Sequence, residues 1–144
     1  MTRTLTTLAL GVALGAGGLA LARHDDHGSE AKVKPLMSED ITEKIDGRDG
    51  RVTIAEVSWA PGASSAAHRH PGAVFGYVLE GEFETQLEGQ PLKKLKAGDT
   101  FYEPTMSLHS VSRNPSRTGN TRVLAVIVHP RDAKSIVVPE KAKE

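Results

Sequence analysis

Short runs of strand-forming residues alternate with turn residues from Ile41 onward, and this spacing constrains the fold more than any other feature of the sequence. Glycine-containing turns separate most of the runs, and no stretch shows the periodicity of an amphipathic helix. Regular short strands of this kind predict an all-β protein, built as an antiparallel sandwich or barrel. The predicted strands are Ile41–Asp46, Val52–Trp59, Val74–Leu79, Phe83–Leu87, Leu92–Leu95, Thr100–Glu103, Leu108–Arg113 and Thr121–His129, and the first turn is Gly47 to Gly50.

Three histidines occupy positions that favour a shared metal ion. His68 and His70 follow the turn at Gly62, and in an extended strand their side chains lie on the same face, roughly 7 Å apart at the Cα atoms. His109 follows a Gly-Asp turn at Gly98 and then Pro104. Imidazole binds Fe, Mn, Ni, Cu and Zn, and a site with three protein ligands keeps positions open for water, oxygen or a small molecule. The spacing therefore predicts a divalent transition-metal site, provided that a further strand brings His109 to the first two.

These two segments resemble the paired sequence motifs of the cupin superfamily. The first motif contains a Gly, two histidines separated by one residue, a Glu and a second Gly, and the second contains a Gly, a Pro, another Gly, a His and an Asn. The resemblance spans about Leu36 to Val138 and implies a double-stranded antiparallel β-barrel, or jelly roll. Since this superfamily includes dioxygenases, isomerases, lyases, sugar-binding regulators and storage proteins, the resemblance does not define the reaction. The positions in register are Gly62, His68, His70, Gly81, Gly98, Pro104 and His109.

Three positions depart from the cupin motifs. The expected Glu is Val74, the expected second-motif Gly is Met106, and the expected Asn comes one residue late, at Asn114. Valine cannot coordinate a metal, so the resemblance implies a neutral three-histidine set like that of the thiol- and diketone-cleaving cupin dioxygenases. Such a set would accept a bidentate anionic substrate that supplies the missing charge.

The residues around the motifs supply candidates for a pocket wall, and Val74 is the first of them. Glu103 either replaces the missing carboxylate or forms a salt bridge at the rim, and the sequence leaves both readings open. Phe101 and Tyr102 are adjacent in one strand, so one of them lines the cavity and the other does not. Met106 is placed to narrow the mouth. His129 matches no motif position and is interpreted as a surface residue.

The N-terminal region has the pattern of an export signal. Arg3 precedes an apolar stretch from Leu5 to Ala22 that ends in small residues suited to signal peptidase, which predicts a mature chain beginning at Arg23. The alternative is a retained membrane anchor, because the stretch is nearly long enough to span a bilayer. Residues 23–35 are predicted to be a flexible linker, whose histidines and aspartates are left out of the site, and residues 36–144 to be one barrel domain.

Composition narrows the classes of partner. The 18 basic and 18 acidic residues balance, which does not favour nucleic acid, and the absence of cysteine excludes disulfides and thiolate ligands. We expect a periplasmic or secreted protein with no stable membrane insertion once the signal is cleaved. An exposed strand edge such as Ile41–Asp46 favours pairing with a second copy, so we expect a homodimer.

Function is predicted at the level of class. We expect a metal-dependent, dioxygenase-like enzyme acting on a small organic molecule, with iron favoured over Mn, Ni, Zn or Cu at His68, His70 and His109. The alternative is a non-catalytic cupin of the cell envelope that binds or senses a small ligand at the same barrel mouth. A third reading is a degenerate, metal-free cupin that acts through its dimer surface.

Overall fold

The computed structural model describes residues 30–140, and in that part of the chain all regular structure is β. Within these residues there is no helix long and apolar enough to cross a lipid bilayer. The strands are β1 (Lys32–Ile45), β2 (Arg48–Trp59), β3 (His68–Arg69), β4 (Ala73–Glu80), β5 (Glu82–Leu87), β6 (Lys93–Lys96), β7 (Thr100–Glu103), β8 (His109–Arg113), β9 (Thr121–Pro130) and β10 (Val138–Pro139).

The strands form two five-stranded sheets that enclose one interior. The first sheet has the order β1-β2-β9-β4-β7 and the second the order β10-β3-β8-β5-β6. Every pairing between these strands is antiparallel. This arrangement confirms the predicted all-β jelly-roll fold.

Strand β4 shows how the period of two builds the interior. Val74 and Val78 are buried, whereas the intervening Phe75 and Tyr77 are exposed on the outer face. Val78 belongs to a core cluster with Trp59, Phe83 and Val123, in which the Trp59 and Phe83 ring centroids are 4.9 Å apart. The inward faces of both sheets therefore meet in an apolar core.

The first hairpin begins earlier and turns more tightly than predicted. Asp46 and Gly47 both have positive φ angles, 50° and 75°. Two such residues make the tight turn that matches the twist of a hairpin, so β2 already begins at Arg48, inside the turn predicted from the sequence. Strand β1 begins at Lys32, which places residues 32–35 of the predicted linker in the sheet. The predicted signal peptide, residues 1–22, and residues 23–29 lie outside the described residues.

A β-bulge in β8 explains why Asn114 comes one residue late. Gln86 of β5 pairs with Val111, but the next residue, Leu87, pairs with His109, so β8 carries one extra residue at Ser110. The buried Asn114 side chain still reaches its place, where its Nδ2 donates to the carbonyl oxygens of Trp59, Ala60 and Gly119 at 3.2, 3.0 and 2.8 Å. The bulge thus preserves both the histidine and the asparagine positions of the motif.

Candidate metal centre

Three histidines from the second sheet and its adjoining loop meet inside the barrel. His68 of β3 and His109 of β8 are directly opposite each other in the ladder, and His70 follows β3 by one residue. The ring centroid of His68 lies 4.9 Å from that of His70 and 5.1 Å from that of His109. One ligand nitrogen from each ring lies within 4.8 Å of the others, so the three histidines can hold one metal ion.

Hydrogen bonds at the outer nitrogen fix how each ring faces the cluster. His68 Nδ1 lies 2.7 Å from the Ala66 carbonyl oxygen, and His70 Nδ1 lies 2.6 Å from that of Ile136. A carbonyl only accepts, so both rings donate from Nδ1 and present the Nε2 lone pair. His109 is reversed: its Nε2 is 2.7 Å from Thr85 Oγ1, which leaves Nδ1 toward the cluster. Partners of this kind orient and tune metal-binding histidines.

A carboxylate lies beside the histidines although the first motif lacks one. Glu103 of β7 is the direct cross-strand partner of Val74 in β4, so the two side chains point the same way, and both are buried, at 3% and 2% exposure. Glu103 Oε1 is 3.1 Å from His109 Nδ1, and Oε2 is 3.7 Å from His70 Nε2. The sequence left open whether Glu103 replaces the missing carboxylate or lies at the rim, and the structure places it buried beside the three histidines.

Two buried atoms at the cluster lack a hydrogen-bond partner within the described residues. They are Glu103 Oε2 and His109 Nδ1, neither of which meets the geometry of a hydrogen bond despite the short contact between the two side chains. An unsatisfied buried polar atom costs about 1 to 3 kcal/mol, and such atoms are rare in folded proteins. Both atoms face the other ligand nitrogens, and a divalent cation would satisfy them together. The residues therefore fit a metal ion of the kind that imidazole and carboxylate bind.

Electrostatics at the cluster favour the protonation states that a metal requires. Burial lowers the pKa of His68 below its ordinary value, and the neighbouring imidazoles His70 and His109 lower it further, against the contact with the Ala66 carbonyl. For Glu103, burial alone would raise the pKa, but contacts with His109, His70 and His68 outweigh it, and the pKa lies below its usual range. A neutral His68 and an ionised Glu103 are both competent ligands.

The cluster opens into a cavity of about 270 Å³ in the barrel interior. Its walls are largely aliphatic and aromatic, and they come from both sheets. Phe101 lines it, since the missing side chain at Gly76 lets the Phe101 ring lie against β4, where a Cβ would come within 2.2 Å of the ring. Val74 and Glu103 line the same cavity. The arrangement places a polar cluster at the end of an apolar chamber.

Two of the expected pocket residues lie elsewhere. Tyr102 is exposed on the outer face of the first sheet, where its ring is 5.3 Å from that of Phe75, because it alternates with the inward Phe101. Met106 is also exposed and is not part of the cavity wall. Its φ angle is 59°, a left-handed conformation at the position where the cupin motif has glycine. Met106 therefore keeps the motif's turn without narrowing the mouth.

His129 is buried, and its interpretation as a surface residue is wrong. Its Nδ1 donates to the Pro130 carbonyl at 2.8 Å, and its Nε2 lies 2.9 Å from Thr53 Oγ1. Both nitrogens are occupied by the fold, so His129 supports β9 and does not join the cluster.

Sequence reasoning missed the residues that hold the histidine rings. Thr85 could have been identified from the sequence, because the period of two places it on the inward face of β5 with Phe83 and Leu87. No sequence pattern identifies Ile136, because its backbone carbonyl reaches His70 from a loop between β9 and β10.

A two-sheet jelly roll with a histidine cluster inside the barrel is the architecture that the cupin resemblance implied. The family model for the cupin domain matches residues 55–127, half of the chain, and the chain belongs to this family. The matched segment includes His68, His70, Glu103 and His109.

Part of this chain is similar in sequence or in fold to known proteins. Oryzines biosynthesis cluster protein J from Aspergillus oryzae is 33% identical over 89 residues, which are 62% of this chain and 47% of that protein. The DMSP lyase DddQ from Ruegeria pomeroyi is 25% identical with a TM-score of 0.53, over 61% of this chain and 42% of the lyase. An oxalate oxidase is 23% identical with a TM-score of 0.57, over 81% of this chain and 57% of that enzyme. The chain spans about half the length of each of these three proteins.

Proposed function

We propose that this protein is a metal-dependent enzyme acting on a small organic molecule, with His68, His70, His109 and Glu103 holding one divalent ion. The observation that carries the proposal is the pair of unsatisfied buried atoms, His109 Nδ1 and Glu103 Oε2, facing the ligand nitrogens of His68 and His70. A purely structural cluster would be expected to satisfy its own buried polar atoms.

The residues around the cluster favour a reaction that needs no separate protein base. Among the described residues that line the cavity, Glu30 is the one titratable side chain beyond the four proposed ligands, and it is exposed. Lyase, isomerase or hydrolytic chemistry generally uses a positioned acid or base besides the metal ligands. We therefore favour an oxygen-using, dioxygenase-like reaction, with iron as the metal. When bound, the metal supplies redox chemistry and positions for oxygen and substrate.

The protein's own part in this reaction is to position ligands and exclude water. The Ala66 and Ile136 carbonyls and the Thr85 hydroxyl fix the three ring orientations. The apolar wall, which includes Val74 and Phe101, keeps bulk water from the reacting end of the chamber.

Metal analysis followed by oxygen uptake tests this proposal. Protein purified without an affinity tag, with iron kept reduced, should hold about one metal ion per chain, and His109→Ala should lose it. Oxygen uptake would then be measured with thiols, diketones and catechols. A protein that binds no metal at neutral pH refutes the proposal, and stoichiometric iron without turnover of any substrate favours the non-catalytic binding function.

We further propose that the chain is exported to the periplasm or the exterior. The support is the sequence pattern of residues 1–22, a basic start followed by an apolar stretch ending in Ala20-Leu21-Ala22. N-terminal sequencing of protein from the periplasmic fraction should give Arg23 as the first residue. An intact N-terminus on a membrane-bound protein would instead identify a retained anchor.

We also propose a homodimer. Strand β1 is at the edge of its sheet and pairs, in the part of the chain that is described, with β2 alone. Most of its side chains are exposed, and Val33, Leu36 and Met37 are large apolar residues among them. An exposed edge of this length invites a second strand. Sedimentation at micromolar concentration should give twice the mass of the mature chain, and the mass of one chain would refute the dimer.

A further inference from the structure

Both ends of the described chain contribute to the wall of the cavity. At the N-terminal end, β1 pairs with β2 along most of its length. At the C-terminal end, residues 135–140, which we call the strap, pair with β3 through the two residues of β10. The wall residues are Glu30, Ala31 and Val33 from one end and Ile136, Val137 and Pro139 from the other. Short pairings with exposed backbone open at a lower free energy than long ones, so the strap is the end that opens more easily.

The strap contacts two of the three histidines. The Ile136 carbonyl accepts a hydrogen bond from His70 Nδ1 at 2.6 Å, and the Ile136 side chain packs against the core cluster that contains Val74. Pro139 is the direct cross-strand partner of His68. Movement of the strap away from the barrel would therefore open the cavity wall and, at the same time, remove the partner that orients His70 toward the metal.

Arg69 holds the strap in place from outside the cavity. It lies between the two histidines of β3 and its adjoining loop but does not line the cavity. Its Nε donates to Glu140 Oε2 at 3.0 Å, and its Nη1 donates to the Met106 carbonyl at 2.8 Å. The Glu140 amide in turn donates to the Ala67 carbonyl at 3.1 Å. The planar guanidinium offers donors in fixed directions, so Arg69 joins the strap to the turn between β7 and β8.

We propose that the strap is the gate of the metal centre and that the ion pair between Arg69 and Glu140 is the clasp that keeps it closed. In the closed state the strap covers the cavity and orients His70. In the open state it admits or releases the metal and its ligands. Arg69 is thus a positioning residue that acts through the strap, and this inference rests on the proposed metal site.

A disulfide across the strap tests the gate directly. Arg69 and Val138 are cross-strand partners, and such residues have Cα atoms about 4.5 to 5.5 Å apart, a spacing that a disulfide spans. The chain has no cysteine, so Arg69→Cys with Val138→Cys forms one defined bond. The variant is loaded with zinc while reduced, and half of it is then oxidised. Zinc release into excess chromophoric chelator should be at least roughly tenfold slower from the oxidised form than from the reduced form.

A disulfide in β1 provides the matched control. Glu39 and Val52 are cross-strand partners in β1 and β2, and neither lines the cavity. Oxidation of Glu39→Cys with Val52→Cys fixes the other end of the described chain and leaves the strap free. Its zinc release should stay within roughly twofold of the reduced form.

The clasp is tested by Glu140→Gln, which keeps the size of the side chain and removes its charge. Glu56→Gln is the control, since it breaks a partly exposed ion pair with Arg122, at 2.9 Å, away from the cavity. Both variants should lower the urea midpoint of the metal-free protein slightly. Only Glu140→Gln should release zinc faster, by roughly threefold, and only its strap should exchange amide hydrogens faster while β9 exchanges at the wild-type rate.

The outcomes separate the gate from the metal site. If zinc binds stoichiometrically but leaves the oxidised and reduced strap variants equally fast, or the β1 disulfide slows release as much, the gate is wrong while the metal site stands. If Glu140→Gln releases zinc no faster than Glu56→Gln, Arg69 and Glu140 are not the clasp. If zinc fails to bind, or binds equally to His109→Ala, the metal site is wrong and the gate falls with it. Slow release from the oxidised strap variant alone, with fast release from Glu140→Gln, supports both.

Discussion

Replacing Glu103 with Gln tests whether its carboxylate serves the metal site or the fold. The substitution keeps the size of the side chain and removes its charge. In the metal-free protein, the contact with His109 Nδ1 stabilises the carboxylate and the unsatisfied Oε2 opposes it. Because these effects offset each other, we expect the free energy of unfolding of the metal-free protein to change by less than about 1 kcal/mol.

Metal affinity should respond far more strongly. Two unit charges about 4 Å apart interact by about 4 kcal/mol at an effective dielectric constant of 20, and a divalent ion doubles this to about 8 kcal/mol. Glu103 is 3% exposed without metal, so the fold has already removed its hydration and binding does not have to. If only a quarter of this interaction contributes, Glu103→Gln weakens metal binding by about 2 kcal/mol, or roughly 30-fold.

Glu84 provides the matched control, as a second buried carboxylate outside the cluster. Its Oε2 is 2.6 Å from Arg113 Nη2, and it does not line the cavity. Glu84→Gln should lower the free energy of unfolding by about 1 kcal/mol and leave metal affinity unchanged. Affinity is measured by competition with a chromophoric chelator, and stability by urea unfolding with metal removed. The reasoning is refuted if Glu103→Gln stays within about threefold of wild-type affinity, or if Glu84→Gln weakens the metal equally.

Three further predictions concern single residues. His129→Ala should lower stability by about 2 kcal/mol, since it removes a buried ring with two hydrogen bonds, without changing metal content; loss of metal would place His129 in the site. Met106→Gly should raise the free energy of unfolding by about 1 kcal/mol by relieving the positive φ, and a lower thermal midpoint would contradict this. Burial lowers the pKa of His68 in the fold, so the unfolded chain takes up that proton first as pH falls through 6.5. The free energy of unfolding of the metal-free protein should therefore fall from neutral pH toward pH 5, and it should fall less in His68→Asn. Urea midpoints measured across this pH range report the change. If the midpoint falls equally with pH in both proteins, the assignment to His68 is refuted.

The parts of this molecule that follow local rules could be predicted from the sequence. Strand β4 is one example, since the alternation of Val74 and Val78 with Phe75 and Tyr77 determines which side chains face inward. The three histidines were found for a similar reason, because their spacing from turn glycines is a property of the chain alone.

The role of Glu103 depends on information that the sequence does not hold locally. The alternation of side chains along a strand places Glu103 on the same face of β7 as Phe101. Only the pairing of β4 with β7 shows that this face is the inner one and that Glu103 lies opposite Val74. The support for His70 is similarly non-local, because the Ile136 carbonyl comes from a loop 66 residues away in the chain.

The pairing of Val74 with Glu103 predicts that the carboxylate can be moved across the two strands. Opposite residues in an antiparallel pair have Cβ atoms about 4.5 to 5.5 Å apart. Val74→Glu alone puts two buried carboxylates at that distance, a repulsion of about 3 kcal/mol at an effective dielectric constant of 20, so the metal-free variant should be destabilised and a divalent ion should restore it.

The double variant Val74→Glu with Glu103→Val keeps one carboxylate in the cavity. It should bind the metal at least roughly tenfold more tightly than the single variant Glu103→Val. Phe75→Glu with Glu103→Val is the control, since Phe75 is the next residue along β4 and points outward. A carboxylate there cannot reach the histidines, and no affinity should return. If the Val74 double variant fails to recover metal binding, or the Phe75 control recovers it equally, then the cross-strand position does not determine where the fourth ligand lies.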